Sequence, residues 1–141
     1  MTTRINAYLA FDGNCEEAMN FYKDCLGGKL TLNRVEGSPM EEQATPEMKN
    51  KILHADLIKG DLVLMASDMI CTNEAFQHGN SISLSLNCDS EQEIRTFFEH
   101  LSAGAQATEP LQEQFWGAIF GMITDKYGVK WLLNYDLIQK N

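Results

Sequence analysis

One helix pattern occurs twice in the sequence, and this internal repeat restricts the fold more than any other feature. The first copy ends at Gly28, and a shift of 76 positions gives a second copy that ends at Gly104. Each copy begins with a residue that can cap a helix, Asn14 or Ser90, and has an acidic residue three positions later. An aromatic pair follows on one apolar face, and glycine ends the pattern. We therefore expect two copies of one structural unit.

A strand is expected before each helix, at residues 5–11 and 81–87. In the second copy apolar residues alternate with serines, which is typical of a strand that buries one face. We expect the apolar residues to pack on the helix, so that Ser83 and Ser85 face the interior that the sheet encloses. The same offset then places Tyr8 on the helix side of the first strand and its neighbours on the enclosed side.

Three further strands are expected after each helix. They lie at residues 29–35, 52–58 and 62–67 in the first half, and near residues 106–109, 117–124 and 129–135 in the second. A long polar loop with two prolines, residues 36–50, follows the second strand. Each half is thus a βαβββ module. We predict a single domain over residues 1–141, with modules at residues 1–68 and 80–138.

The charge balance argues against several classes of partner. The chain carries 20 acidic and 11 basic residues, a formal net charge of −9. This charge repels phosphate backbones and anionic lipids, and no cluster of Lys and Arg offsets it. No apolar run is long enough to span a bilayer, and no basic leader precedes a hydrophobic stretch. We expect a cytoplasmic protein that binds neither nucleic acid nor membranes.

The four cysteines do not form a metal or redox motif. They are separated by 10, 46 and 17 positions, so no C-x-x-C pair is present to chelate zinc or exchange disulfides. Cys25 lies on the apolar face of the first helix, where a thiol behaves as a small core residue. Cys15 and Cys71 are free to be exposed thiols, but the acidic neighbours of Cys15 do not activate it.

Several segments together resemble the vicinal oxygen chelate superfamily, the glyoxalase and bleomycin-resistance fold, and most closely its PhnB-like branch. The matching segments are residues 8–22, Leu-His-Ala-Asp-Leu at 53–57, Leu-Met-Ala-Ser-Asp at 64–68, Phe-Trp-Gly at 115–117, and residues 120–131. The resemblance implies an α+β fold of paired βαβββ modules, whose curved mixed sheets enclose a cavity. It also implies a homodimer.

The resemblance also implies where a metal site would lie. Metal-dependent members hold a divalent ion with His and Glu side chains on the first and last strands of each module. The corresponding positions fall near Ala7, Leu64, Ser81 or Ser83, and Leu132. Alkyl groups supply no donor atom and a hydroxyl is a poor one, so these positions do not hold the usual site. We expect no cofactor, with a divalent metal as the alternative.

His54 is the ionisable residue in the middle of an apolar strand, and Asp56 lies two positions further on the same face. That face is the enclosed one if Leu53 and Leu57 pack on the helices. Imidazole exchanges protons near neutral pH, so His54 is a candidate catalytic acid or base, or a group that orients a ligand. The alternative is a hydrogen-bonded histidine of the core.

We weigh three functions. The first is a metal-independent pocket that binds a small, partly apolar molecule, with Phe115 and Trp116 stacking on the ligand. In that pocket Ser83, Ser85, His54 and Asp56 supply the polar contacts. The second is a metal-dependent glyoxalase-like or dioxygenase-like enzyme with a non-standard site around His54. The third follows from a demethylubiquinone methyltransferase label carried by relatives of this branch, but the sequence has no Gly-rich loop for an adenosyl cofactor.

Overall fold

The computed structural model describes residues 3–69, 76–77 and 79–137. The chain divides into two compact units, unit 1 over residues 1–77 and unit 2 over residues 78–141. Cys71 and His78 lie outside the described residues. We describe each unit by itself.

Both units contain a strand, a helix and three strands, so the predicted βαβββ order is confirmed. Unit 1 consists of β1 (Ala7–Phe11), α1 (Cys15–Leu26), β2 (Lys29–Arg34), β3 (Ile52–Lys59) and β4 (Leu62–Asp68). Unit 2 consists of β5 (Leu84–Asn87), α2 (Glu91–Leu101), β6 (Ala107–Glu113), β7 (Ala118–Thr124) and β8 (Lys130–Asp136). The polar loop after β2 contains a short 3-10 helix, Glu41–Gln43.

The two sheets have the same strand order. Each is four-stranded, in the order β1-β4-β3-β2 in unit 1 and β5-β8-β7-β6 in unit 2. The first and last strands of each unit pair in parallel, and the other pairs are antiparallel. The predicted mixed sheets are therefore confirmed. The β2–β3 and β6–β7 pairs each contain a register irregularity, at Asn33/Arg34 and between Glu109 and Gln112.

One face of the unit 1 sheet is buried under α1. Leu57 and Ala66 have no exposed surface, and Leu9 pairs with Ala66 on that face. Phe11 is also buried, whereas Tyr8 is 51% exposed. The prediction that Tyr8 faces the helix is therefore wrong. The helix repeat keeps its offset of 76, but the alternation of β1 runs one residue out of step with that of β5, and a one-residue step reverses the faces of a strand.

The second helix starts as the sequence predicts. Ser90 Oγ accepts a hydrogen bond from the Glu93 backbone N–H at 3.0 Å. Glu93 Oε1 in turn accepts one from the Asp89 N–H at 3.1 Å. This reciprocal arrangement is a capping box, which satisfies backbone donors that lack partners within the helix.

The first helix starts differently, and the prediction that Asn14 caps it is wrong. The Asn14 side chain makes no capping hydrogen bond. The Cys15 backbone N–H instead donates to Asp68 Oδ1 at 3.0 Å, and the Ile52 N–H donates to Asp68 Oδ2 at 2.8 Å. Asp68 is only 5% exposed. A carboxylate at the end of β4 therefore replaces the expected local cap, because the sheet brings it to the helix start.

A second buried carboxylate holds the turn between β7 and β8. Asp125 is fully buried, and its Oδ1 accepts hydrogen bonds from the backbone N–H groups of Tyr127 at 2.8 Å and Val129 at 3.0 Å. Its Oδ2 accepts a hydrogen bond from Trp131 Nε1 at 2.8 Å. Trp131 is 3% exposed and lies on the helix side of the sheet.

Glycine ends α1 as predicted. Gly27 and Gly28 both have positive φ, and a Cβ atom on Gly28 would lie 2.7 Å from the Ile58 carbonyl oxygen. Only glycine fits that approach of helix and sheet. None of the helices in the described part of the chain is long and apolar enough to span a bilayer.

Candidate functional site

The face of the unit 1 sheet that points away from α1 carries most of its polar side chains. Strand pairing places four residues in one row across this face, in the order Tyr8, Met65, Asp56 and Thr31. His54 lies on the same face, two residues before Asp56. We call this surface the helix-free face of unit 1. Ala55 and Leu57, between and beside the two polar residues, are buried on the other side.

Tyr8, His54 and Asp56 form a cluster on this face. The Tyr8 hydroxyl lies 3.3 Å from His54 Nδ1, and the two rings are 5.8 Å apart between centroids. His54 Nε2 lies 3.8 Å from Asp56 Oδ2, which is within the range of an ion pair but too long for a hydrogen bond. The His54 and Asp56 side chains are 37% and 28% exposed. The cluster is therefore accessible to a small molecule.

The sequence prediction found two members of this cluster and missed the third. His54 and Asp56 were recognised because residues two apart in a strand share a face. Tyr8 is 46 positions from His54 in the chain, so only the pairing of β1 with β4 and β3 brings it close. The local signal for Tyr8 was the alternation of side chains along β1. The offset of the repeat, however, assigned Tyr8 to the wrong face of the sheet.

The equivalent row in unit 2 is less polar. Strand pairing places Ser85, Leu132, Met122 and Glu109 in order across the sheet, on the side away from α2. We call this the helix-free face of unit 2. Met122 is 39% exposed at its middle. The polar groups of this row, Ser85 and Glu109, thus lie at its two ends on the edge strands, whereas Asp56 lies on a central strand in the row of unit 1.

A depression of about 190 Å³ lies within unit 2. Its polar side chains are Ser83, Thr108, Glu109, Thr124 and Lys130, and its apolar ones include Met122 and Leu132. The residues around it therefore carry hydroxyl, carboxylate and ammonium groups beside an apolar floor. Ser83 borders this depression from the segment just before β5, while Ser85 lies exposed within β5.

The predicted stacking aromatics lie in the β6–β7 hairpin. Phe115 is 96% exposed and Trp116 is 44% exposed. The two rings meet edge to face with centroids 5.0 Å apart. The Trp116 ring also packs against the Phe120 ring, with centroids 6.2 Å apart. Neither Phe115 nor Trp116 lines the depression near Ser83. Both residues lie just before β7 begins, whereas the depression lies beside Thr124, where β7 ends. The structure therefore does not bring all the predicted unit 2 residues into one pocket.

The positions expected for a metal site need a correction of register. Ala7 and Leu64 pair with each other on the buried helix side, so the residues of β1 and β4 on the helix-free face are Tyr8 and Met65. In unit 2 the equivalent pair is Ser85 and Leu132. A phenol, a thioether, a hydroxyl and an alkyl group make a poor donor set for a divalent ion. Within residues 3–69, 76–77 and 79–137, no group of three or more His, Cys, Asp or Glu side chains is placed to hold a metal.

The described thiols are not activated. Burial, the largest cause, together with the nearby carboxylates of Asp68 and Glu16 raises the pKa of Cys15 to about 12. Burial likewise raises the pKa of Cys88 to about 12, with Glu93 and Asp89 adding to the effect. The expectation that Cys15 is exposed is wrong, since it has no exposed surface. Neither thiol is a candidate nucleophile, because the thiolate is the reactive form.

The two βαβββ units define the class of protein. A glyoxalase/bleomycin resistance protein/dioxygenase domain from Frankia sp. EAN1pec has the same fold, with a TM-score of 0.67 at 15% sequence identity over 96% of this chain and 98% of that one. The chain is therefore an α+β protein of the glyoxalase/bleomycin-resistance type, as the sequence resemblance predicted.

The family follows from closer matches. The model of the family described as 3-demethylubiquinone-9 3-methyltransferase matches residues 3–134, and the chain belongs to this family. Protein YjdN from Escherichia coli (strain K12) is 30% identical over 140 residues, covering 92% of this chain and 93% of YjdN. Protein PA1353 from Pseudomonas aeruginosa has a TM-score of 0.81 at 38% identity, covering 96% of this chain and 98% of PA1353. The PhnB protein from Bacillus cereus has a TM-score of 0.71 at 28% identity, covering 94% of this chain and 99% of the PhnB protein. The predicted PhnB-like branch is thereby confirmed.

Proposed function

We propose that this protein binds a small, partly apolar molecule on the helix-free faces of its sheets, without the metal ion that many members of the superfamily use. The observation that carries this proposal is the cluster of Tyr8, His54 and Asp56 on the helix-free face of unit 1. Ligand sites are largely apolar surfaces with a few converging polar groups. The cluster meets this description, since its polar atoms lie beside Met65 and Ala10.

Unit 2 offers a second candidate surface for a ligand. Ser83 and Ser85 provide hydroxyl groups, and the depression next to Ser83 is large enough for a compact group of a ligand. Phe115 and Trp116 expose ring surface that a ligand would cover.

The geometry around His54 favours proton chemistry over metal binding. Tyr8 lies at Nδ1 and Asp56 lies at Nε2, so the two oxygen groups flank opposite nitrogens of the ring. An ion bound to either nitrogen would reach one of them and would lack the three or four ligands that a divalent ion requires. We therefore keep His54 as the candidate acid or base and place the metal-dependent enzyme second.

The family description names a methyl transfer, which requires an adenosyl methyl donor. Such a donor is held at a glycine-rich turn that opens onto a free helix start. The turn before α1 has Gly13 alone, and the Cys15 N–H at the helix start already donates to Asp68. The described residues therefore do not fit this cofactor, and we derive no step through it.

We propose that the protein acts as a homodimer in the cytoplasm, with no nucleic acid partner. The net charge of −9 supports the absence of a nucleic acid partner, and the homodimer is what the family resemblance implies. Ile82 is 80% exposed and Ile58 is 46% exposed, so apolar surface is available for a second copy. Sedimentation equilibrium of the full chain tests the assembly, and a single monomeric species would contradict it.

A fragment screen by two-dimensional ¹H–¹⁵N NMR tests the binding proposal. We expect small aromatic fragments to shift amides of β1, β3 and β4, with weaker binding in His54→Ala. His100→Ala is the matched control, since His100 is exposed on α2 and distant in sequence from the cluster. Shifts confined to residues outside both helix-free faces would contradict the proposal.

Metal analysis of protein purified without a tag or chelator separates the two candidate functions. We expect no stoichiometric metal and no rise in melting temperature when divalent ions are added, because an ion that binds the native state would stabilise it. Stoichiometric metal that is lost in His54→Ala would instead support the metal-dependent enzyme.

A further inference from the structure

The hydrogen bond between Tyr8 and His54, with Asp56 on the other side of the imidazole ring, points to the class of ligand. We propose that Tyr8 contacts the ligand directly, and that its phenol oxygen accepts a hydrogen bond from a hydroxyl group of an uncharged molecule. This inference rests on the proposed function and deepens it. It concerns a residue that the sequence prediction placed on the wrong side of the sheet.

The position of Asp56 determines where neutral His54 carries its proton. A neutral imidazole has one N–H group, and its other nitrogen is an acceptor. Asp56 Oδ2 is the charged group next to Nε2, at 3.8 Å, so the N–H is favoured at Nε2. Nδ1 is then an acceptor, and the Tyr8 hydroxyl at 3.3 Å donates its proton to it.

This arrangement leaves the Tyr8 oxygen as an acceptor. A phenol has one proton, which Tyr8 donates in its hydrogen bond to His54. Only the lone pairs of the Tyr8 oxygen therefore remain for a ligand. Tyr8 is 51% exposed, and its oxygen is therefore accessible. The ligand must bring the donor, which a hydroxyl group does. Asp56 disfavours a ligand carboxylate nearby, and the side chains of Met65 and Ala10 suit an apolar body.

Protonation of His54 reverses this preference. Imidazolium carries protons on both nitrogens, so Nδ1 must donate to the Tyr8 oxygen. The Tyr8 O–H is then released to donate to a ligand, and the added positive charge favours an anion. The strand residues of unit 1 on this face include two other charged groups, Asp56 and Lys29, while their neighbours Thr31, Asn33 and Ser67 are uncharged. Imidazole is the side chain among these that can gain a proton and become a cation.

Benzyl alcohol and benzoate test this inference, because they share a ring and differ in the polar group. Their dissociation constants for the full chain are measured by NMR titration at about pH 8 and about pH 5.5. We expect benzyl alcohol to bind at least about fivefold more tightly than benzoate at the higher pH. We expect this ratio to fall about tenfold at the lower pH, a change equal to about 1.4 kcal/mol.

Tyr8→Phe keeps the ring and removes only the oxygen. We expect it to weaken benzyl alcohol binding at the higher pH about tenfold and to abolish the pH dependence of the ratio. Tyr135→Phe is the matched control, a half-buried tyrosine of β8 that should behave as the wild type. A Tyr8→Phe protein with the wild-type ratio at both pH values would overturn the inference but leave the binding proposal standing. Failure of both probes to bind would also overturn the inference, and the fragment screen then decides the proposed function separately.

Discussion

The two units each bury one carboxylate, but the two carboxylates join different parts of the chain. Asp68 in unit 1 accepts from the Cys15 and Ile52 N–H groups, which are 53 and 16 positions away. Asp125 in unit 2 accepts from donors no more than six positions away. Unit 1 thus uses its buried charge to connect separate elements, whereas unit 2 uses it to shape a single turn.

The difference extends to the helices. In unit 2 the helix start is completed by Ser90 and Glu93, which are its own neighbours in sequence. In unit 1 it is completed by Asp68, which is in position only after β4 has joined the sheet. Two copies of one unit can therefore satisfy the same backbone donors by local or by long-range contacts. The start of α1 should therefore depend on the sheet more than the start of α2 does.

Asp125→Ala should have the largest effect on stability. It leaves three buried donors without an acceptor, and we expect a loss of about 4 kcal/mol in the free energy of unfolding, measured by urea denaturation. The control is Asp136→Ala, an exposed residue at the end of β8, which should cost less than about 0.5 kcal/mol. Equal losses for the two variants would contradict a special role of buried Asp125 in holding the turn of unit 2.

Asp68→Ala should come second, at about 3 kcal/mol, because two buried backbone donors lose their acceptor. Amide hydrogen exchange should speed up at both Cys15 and Ile52, although they belong to different elements. Asp12→Ala, in the exposed turn before α1, is the matched control and should leave both amides protected. Faster exchange at only one of the two amides would show that Asp68 does not couple them.

Ser90→Ala and Asn14→Ala test whether each helix start is capped by its own neighbouring side chain. Removing the Ser90 cap should cost about 1 kcal/mol, whereas removing the Asn14 side chain, which caps nothing, should cost less than about 0.5 kcal/mol. Thermal or urea unfolding of the two variants measures both values. A larger cost for Asn14→Ala would mean that both helices are capped locally after all.

The smallest effect at neutral pH concerns two thiols with raised pKa values, Cys15 in unit 1 and Cys88 in unit 2. The folded chain raises the pKa of Cys15 and of Cys88 from 9.0 to about 12. Their contribution to stability is therefore complete below pH 9.0 and is lost as the pH rises toward about 12, since the unfolded chain releases these protons first. Urea denaturation at increasing alkaline pH should show this decline.

The rate of alkylation distinguishes Cys15 from Cys88. At about pH 8 iodoacetamide should modify neither quickly in the folded chain. Cys88 should react before Cys15, because Cys88 is half-buried and Cys15 has no exposed surface. Mass spectrometry of peptides after timed quenching measures both rates. Faster reaction of Cys15 would indicate that the start of α1 opens readily.

The fold was predictable because its signals are local. The helix repeat, the alternation in strands and the glycines that end helices all lie within a few residues of the element that they define. His54 and Asp56 were found for the same reason, since their spacing in one strand places them together. Whether either residue is catalytic stays a prediction, as do the roles of Ser83, Ser85, Phe115 and Trp116. The cavity enclosed by the sheets also stays a prediction.

What the sequence did not reveal depends on contacts between distant residues. Tyr8 joins the cluster through strand pairing across 46 positions, and Asp68 reaches α1 across 53. The repeat itself was misleading for β1, because an offset that aligns helices does not fix which face a strand residue takes. A single sequence contains no signal for such pairings until the register of the sheet is known.

The register irregularities in β2 and β6 bear on how this protein behaves when it is concentrated. Both are edge strands with one row of unpaired backbone groups, and such rows invite strands of other molecules to add to the sheet. In β6 the irregular segment includes Pro110, which has no N–H to offer an incoming strand. In β2 the irregularity at Asn33/Arg34 bends the end of the strand away from a regular ladder. The edges formed by β2 and β6 are therefore poor templates for an added strand.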